Sequence, residues 1–155
     1  MINAIFACDE EWGIGRNNTL PWPHNSSDLK WFKQMTNGQA VVMGRKTWQS
    51  LPIQPLPNRR NIVVSSIQLE NVQTISIDSV RSFCMFTSEP IWIIGGSQLL
   101  EFCLGFVDKI YISNIIGKYN CDIFLPKNKI LEKFYIDRNE KINDLNITRW
   151  VNKFK

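Results

Sequence analysis

Histidine is almost missing from this chain: His24 is the only one among 155 residues. Cys8, Cys84, Cys103 and Cys121 are its only cysteines, and no two of them form a CxxC pair. A zinc centre of thiolates and imidazoles is excluded on that ground, and no metal is expected. The scattered thiols read as free core fillers of a reducing compartment. No apolar run nears the roughly 20 residues of a membrane span. The opening MINAIFAC has neither the basic nor the apolar region of a signal peptide, so a cytoplasmic protein away from membranes is expected. A strong excess of one charge is lacking too. The 18 basic and 14 acidic residues leave a net +4, which suits an anionic small molecule and gives no basis for nucleic-acid binding. Repeats, low-complexity tracts and linkers are absent, so residues 1–155 are expected to form one domain.

What is present is a series of short apolar runs bounded by turn residues. They are INAIFAC (2–8), AVVMG (40–44), NIVVSS (61–66), IWIIGG (91–96) and KIYISNI (109–115). Unbroken Val- and Ile-rich runs of this length predict strands buried on both faces, with helices on both sides. Residues 26–36 carry Leu29, Trp31, Phe32 and Met35 at helical spacing. Asp78 or Ser79 is expected to cap a segment with Val80, Phe83 and Cys84 on one face. Ser97 is expected to cap a third, with Leu99, Leu100, Cys103 and Leu104 along one side. The tail reads as an antiparallel hairpin, KFYIDRNEKI and NITRWVNKF about NDLN. The pattern predicts an α/β fold with a mixed, mainly parallel sheet.

Three of the predicted strands end in groups suited to phosphate. AVVM runs into GRKTW (44–48), where a helix start would put Arg45 and Lys46 at its positive dipole end. A bound anion would relieve that conflict, and Thr47 adds a hydroxyl donor. NIVV ends in Ser65 and Ser66. IWII ends in GGSQLL (95–100), whose glycines let a ligand approach the backbone. Neither a GxGxxG fingerprint nor a GxxxxGK[ST] loop is present. Ligands of open α/β sheets bind at the carboxyl ends of strands, so three donor clusters there suggest a multiply phosphorylated nucleotide.

In order and spacing, GIGRNNTLPW (13–22), DLKWFK (28–33), VVMGRKTWQSL (41–51), PLPNRRNIVVSS (55–66) and WIIGGSQLLEF (92–102) resemble dihydrofolate reductase. KIYIS and CDIFLP (109–126) extend the likeness over essentially the whole chain. The resemblance implies a central eight-stranded, mostly parallel sheet with an antiparallel C-terminal hairpin and helices on both faces. Residues 38–105 approximate its adenosine-binding subdomain. It further implies a monomer that binds dihydrofolate and antifolate inhibitors, and reduction of dihydrofolate by NADPH. Two other readings share the fold: a riboflavin-pathway reductase, and a non-catalytic folate- or nucleotide-binding subunit.

On residues 25–28 alone, Asn25 caps a helix and Asp28 returns the bond as a capping box. The resemblance gives Asp28 a second task, holding the pterin ring and favouring protonation at N5. By the same likeness Leu20, Trp22 and Ser113 stand with Asp28 at the reacting atoms. Ile5, Ala7, Leu29 and Phe32 would line the substrate, with Leu51, Leu56 and Ile94 completing the wall. Arg59 would take the carboxylate of the glutamyl tail, although Arg60 stands beside it. On the cofactor side, Arg45, Ser65 and Ser66 match a 2′-phosphate site. Lys46 and Thr47 match pyrophosphate contacts, joined by Gly44 and the backbone from Gly95 and Gly96 through Ser97, Gln98 and Leu99. Ala7, Ile14, Gly15 and Leu100 would lie along the nicotinamide, and Asp9–Leu20 would be a mobile loop closing over it. Leu100 stands where many members of the family have an aromatic residue, and Gln98 where a cation is frequent. A cis peptide between the two glycines is implied as well.

Overall fold

The computed structural model describes residues 1–155. In chain order the first elements are β1 (Ile2–Cys8), β2 (Gly13–Gly15), α1 (Ser26–Thr36), β3 (Ala40–Gly44), α2 (Arg45–Ser50), β4 (Arg60–Val64) and β5 (Gln73–Ile75). A 3-10 turn, Ile77–Ser79, then leads into α3 (Val80–Phe86), β6 (Ile91–Gly95), α4 (Ser97–Cys103) and β7 (Lys109–Asn114). The chain ends through β8 (Ile123–Phe124), α5 (Lys127–Lys133), β9 (Phe134–Ile142) and β10 (Leu145–Asn152).

Eight strands form one sheet in the order β5-β4-β3-β6-β1-β7-β10-β9, while β2 and β8 pair separately. The six from β5 to β7 are parallel, and β10 runs antiparallel to both β7 and β9. Their residues divide between two cores. Ile2, Ala4, Phe6 and Cys8 of β1 pack beneath Val80 and Cys84 of α3, Leu99, Leu100 and Cys103 of α4, and Ile130 of α5. Ile5 turns the other way, to Trp31 of α1 and Trp48 of α2, beside Val41, Met43 and Val63. The apolar runs are unbroken because both faces of these strands are covered. The hairpin closes through Asn143–Asp144, with Asn143 at φ 57°, a conformation asparagine tolerates.

One expected cap is replaced, and another stands at its N-cap without a side-chain bond to the helix. Gly96, not Ser97, is the N-cap of α4, and the Ser97 hydroxyl donates to the Phe124 carbonyl at 2.5 Å. Ser97 is already helical, so its hydroxyl serves the neighbouring strand β8. Ser79 does precede α3, but its hydroxyl pairs with Ser76 Oγ at 3.0 Å rather than with a helix N–H. The strand predicted over 61–66 stops at Val64, where Ser65 Oγ turns to accept from the Ile67 N–H at 3.1 Å.

The loop after β1 is held by one carboxylate. Asp9, 3% exposed, accepts from the Glu11 and Gly13 N–H groups at Oδ1, both at 2.9 Å. Its Oδ2 accepts from the Tyr119 N–H at 3.0 Å and from the Cys121 thiol at 3.4 Å. Trp12, at φ 66°, thereby lies against Trp150, ring centroids 5.7 Å apart. Burial alone would raise the Asp9 carboxyl, but the Gly13, Tyr119 and Glu11 N–H donors and the Cys121 thiol outweigh it and hold it below its ordinary value.

Two outcomes follow. Ile93 has no exposed surface at the centre of the sheet, so Ile93→Ala should cost about 2–5 kcal/mol. Urea unfolding should show this as a lower midpoint at unchanged slope. Asp9→Asn should cost about 1.5–3 kcal/mol near neutrality through weakened charge-assisted bonds. The folded-state pKa lies below the unfolded value of about 3.9. The stabilisation is therefore complete above that value and is lost as pH falls through the folded pKa. Parallel acid titrations of stability should show the wild-type advantage vanishing in that window, and an advantage that persisted below it would refute the assignment.

Candidate active site

Helix α1 begins where Asn25 Oδ1 accepts from the Asp28 N–H at 3.0 Å. The return bond expected of a capping box is not made, which leaves the Asp28 carboxylate free of the helix terminus. Burial pushes this half-buried carboxyl above its ordinary value, and the nearby Ser113 hydroxyl opposes the shift only in part. Ser113 is 1% exposed and its Oγ has no hydrogen-bond partner. It sits on β7 directly beside Ala7 of β1, with Ile5 two residues back on the same face. A carboxyl in such a place takes up a proton more readily than a free one and can hydrogen-bond a ligand.

The side chains expected to line the substrate lie at several depths. Ile5 is buried, Ala7, Phe32, Leu51, Leu56 and Ile94 are half-buried against the second core, and Leu29 is 46% exposed. Arg59 stands over the Phe32 ring, its guanidinium carbon 5.7 Å from the centroid. Its Nη1 donates to Thr36 Oγ1 at 3.1 Å and its Nε to the Pro57 carbonyl at 2.8 Å. No carboxylate of the chain pairs with it, and burial lowers its pKa from the ordinary guanidinium value. Arg60 is committed elsewhere, to Glu89 at 2.6 Å and to Gln73. Of the two neighbours, only Arg59 has its charge available to a ligand.

At the carboxyl ends of β3 and β6 the backbones nearly touch. A Cβ on Gly44 would lie 3.8 Å from the Gly96 nitrogen, and one on Gly95 would fall 2.9 Å from Thr47 Oγ1. Gly95 has φ 147° and its peptide to Gly96 is cis. Helices α2 and α4 start here with Gly44 and Gly96 as N-caps, so neither has a side-chain cap for its first N–H groups. Arg45 and Lys46 are exposed and form no ion pair, and Ser66 is exposed beside half-buried Ser65. Donors of positive potential thus converge on a cradle that side chains larger than hydrogen would fill. Gln98 is exposed, whereas Leu99 is 6% and Leu100 0% exposed. Both leucine side chains pack in the first core, and their backbone lies in the opening turn of α4.

The loop of residues 9–20 is tied to the segment leading into β8. Gly15 pairs with Ile123, and its carbonyl accepts from the Asp122 N–H at 2.9 Å, while Asp122 Oδ2 accepts from the Asn17 N–H at 3.0 Å. Ile14 packs on the first core, Leu20 is 60% exposed, and Trp22 is 7% exposed with its ring 6.1 Å from that of Tyr119. The sequence reading missed Asp9, Tyr119 and Asp122 as anchors of this loop. An aspartate two and four residues before the N–H groups it binds is the one local signal for Asp9.

Comparison with known proteins agrees with this geometry. The family described as "Dihydrofolate reductase" matches residues 1–150. The dihydrofolate reductase of Bacillus subtilis is 38% identical over 131 residues, covering 82% of this chain and 76% of that protein. That of Haemophilus influenzae is 40% identical over 116 residues, with coverage of 74% and 71%. Among solved structures, the dihydrofolate reductase from Enterococcus faecalis complexed with NADP(H) and RAB-propyl superposes with a TM-score of 0.87. The two are 26% identical over 99% of this chain and 96% of that one. The chain belongs to the dihydrofolate reductase family.

Proposed function

We propose that this protein reduces 7,8-dihydrofolate to 5,6,7,8-tetrahydrofolate with NADPH. The observation that carries the reading is the Asp28 carboxyl, raised by burial beside the buried Ser113 hydroxyl. A pterin presents an amino group and a ring nitrogen side by side, which a carboxylate can take as a bidentate acceptor. The same carboxyl favours the proton that must reach N5, while Trp22 and Leu20 help exclude solvent. Phe32, Leu29, Leu51, Leu56 and Ile94, with Ile5 and Ala7 beneath, supply an apolar slot for the flat ring and its benzoyl group. Arg59, held by Thr36 and without a carboxylate of its own, receives the glutamyl carboxylate.

NADPH supplies the hydride to C6 when bound. The residues present fit it: the Gly44, Gly95 and Gly96 cradle, Thr47 and Lys46 take the diphosphate, and the backbone of Ser97, Gln98, Leu99 and Leu100 continues that surface. Arg45, Ser65 and Ser66 take the 2′-phosphate, so residues 38–105 act as the adenosine-binding subdomain. Ile14 and Gly15 place the loop over the nicotinamide. The reading includes a monomer in the cytoplasm, in keeping with four unpaired cysteines, and sensitivity to antifolates. No helix is long and apolar enough to cross a membrane. Neither the riboflavin-pathway reading nor that of a non-catalytic subunit is favoured by the relatives found.

Asp28→Asn should lower kcat by about a hundredfold or more. Part of the loss should return on acidification, when solvent protons replace the carboxyl. NADPH oxidation with and without dihydrofolate measures both, and unaltered turnover in the variant would reject the role of Asp28. Arg45→Ala should weaken NADPH roughly tenfold, the worth of one charged hydrogen bond, with NADH nearly unaffected. Fluorescence titration with each nucleotide decides it; equal losses would remove Arg45 from the 2′-phosphate site.

A further inference from the structure

Beside α1, on the same sheet face as Asp28 and Ser113, lies a cleft of about 170 Å³ lined by residues to which the reaction gives no part. Trp31 and Met35 of α1 form one wall, and Tyr111 of β7 with Ile147 and Arg149 of β10 the floor. Arg138 and Glu140 of β9 form the outer rim. Trp31 is 8% exposed, yet its indole N–H finds no acceptor anywhere in the protein. A buried donor left unpaired costs about 1–3 kcal/mol, so a group that supplies an acceptor is favoured there.

The charges point the same way. Arg149 and Arg138 face each other across the β9–β10 ladder, beside the register shift that follows Arg149. Like charges placed directly opposite are unfavourable. Asp137 bonds only one of them directly, accepting from Arg149 Nε at 2.9 Å and Nη2 at 2.7 Å. Arg149 Nη1 and the whole Arg138 guanidinium make no ion pair or hydrogen bond within the chain. Against these donors the cleft presents one carboxylate, Glu140, which is also unpaired. The remaining walls are flat and apolar: the Trp31 and Tyr111 rings, 6.4 Å apart and inclined at 53°, with Met35 and Ile147.

We propose that this cleft is a second ligand site, selective for a small monocyclic aromatic carboxylate. An apolar cavity of about 150 Å³ accommodates benzene, so the volume suits a single ring. The carboxylate meets Arg138, Arg149 Nη1 and the Trp31 N–H, the ring lies among Trp31, Tyr111, Met35 and Ile147, and a donor para to the carboxylate reaches Glu140. Arg138 selects charge through a bidentate fork.

The test is a titration with 4-hydroxybenzoate, followed by the indole N–H resonance of Trp31 in a nitrogen–proton correlation spectrum. That resonance is assigned by its loss in Trp31→Phe. A saturable downfield shift is expected. Binding should weaken about tenfold in Arg138→Gln, an exposed position on the sheet edge, and stay unchanged in Arg59→Gln. The neutral 4-hydroxybenzyl alcohol should bind at least as weakly as the acid binds that variant. Absence of a shift would overturn the proposal and leave the N–H to a water molecule. So would equal binding of acid and alcohol, which marks an apolar cavity alone, or loss of binding in Arg59→Gln, which returns the ligand to the crevice already described.

Discussion

Parallel strands cannot be joined by tight turns, and six of them buried on both faces set the terms for everything else in this molecule. From β1 the chain moves through α1, β3 and α2 to β4 with its helices on one face, then returns through α3 and α4 on the other. The returning β6 enters between β3 and β1. That insertion brings the Gly95–Gly96 end of one strand against the Gly44 end of another. Helices α2 and α4, which belong to opposite faces, therefore begin side by side without side-chain caps. The positive charge of Arg45 and Lys46 at a helix start, unfavourable in isolation, becomes intelligible once an anion is expected between the two termini.

Two aspartates show how this framework sets chemistry. Asp9 is the more deeply placed, 3% exposed, and still titrates below its ordinary value because three backbone N–H groups and a thiol converge on it. Asp28 is only half-buried and is shifted the other way, since a single hydroxyl partly offsets its burial. The balance between donors and desolvation decides the sign. One carboxylate is thereby committed to holding a loop, and the other keeps its acceptor capacity for a ligand. Where the fold satisfies a buried polar group it builds structure, as around Asp9; Ser113 Oγ and the Trp31 N–H are left without such partners.

Much of this was legible along the chain. The five apolar runs became strands within two residues of their predicted ends, and 26–36 became α1. Asn25, three residues before Asp28, announced the helix start, and the closing hairpin followed from alternation about a turn. Caps were less legible because a serine before an apolar segment can serve other partners, as Ser97 serves Phe124. Leu100 lies with Leu99, Cys103 and Leu104 on the one side of α4 that periodicity indicated, and that side meets the core. The choice between Arg59 and Arg60 needed their distant partners, Thr36 on one side and Glu89 on the other.

By itself the sequence determined the local matters: which segments pair or coil, that strands are covered on both faces, and which residue types stand at strand ends. These depend on contacts within a few residues and on apolar periodicity, both written in linear order. The tertiary structure alone decided that β6 lies between β3 and β1, and that Asp9 reaches Tyr119 and Cys121. It alone decided that Asp28 titrates high while Arg59 stays unpaired. Those properties depend on burial and on partners up to 112 residues away, which no local pattern encodes.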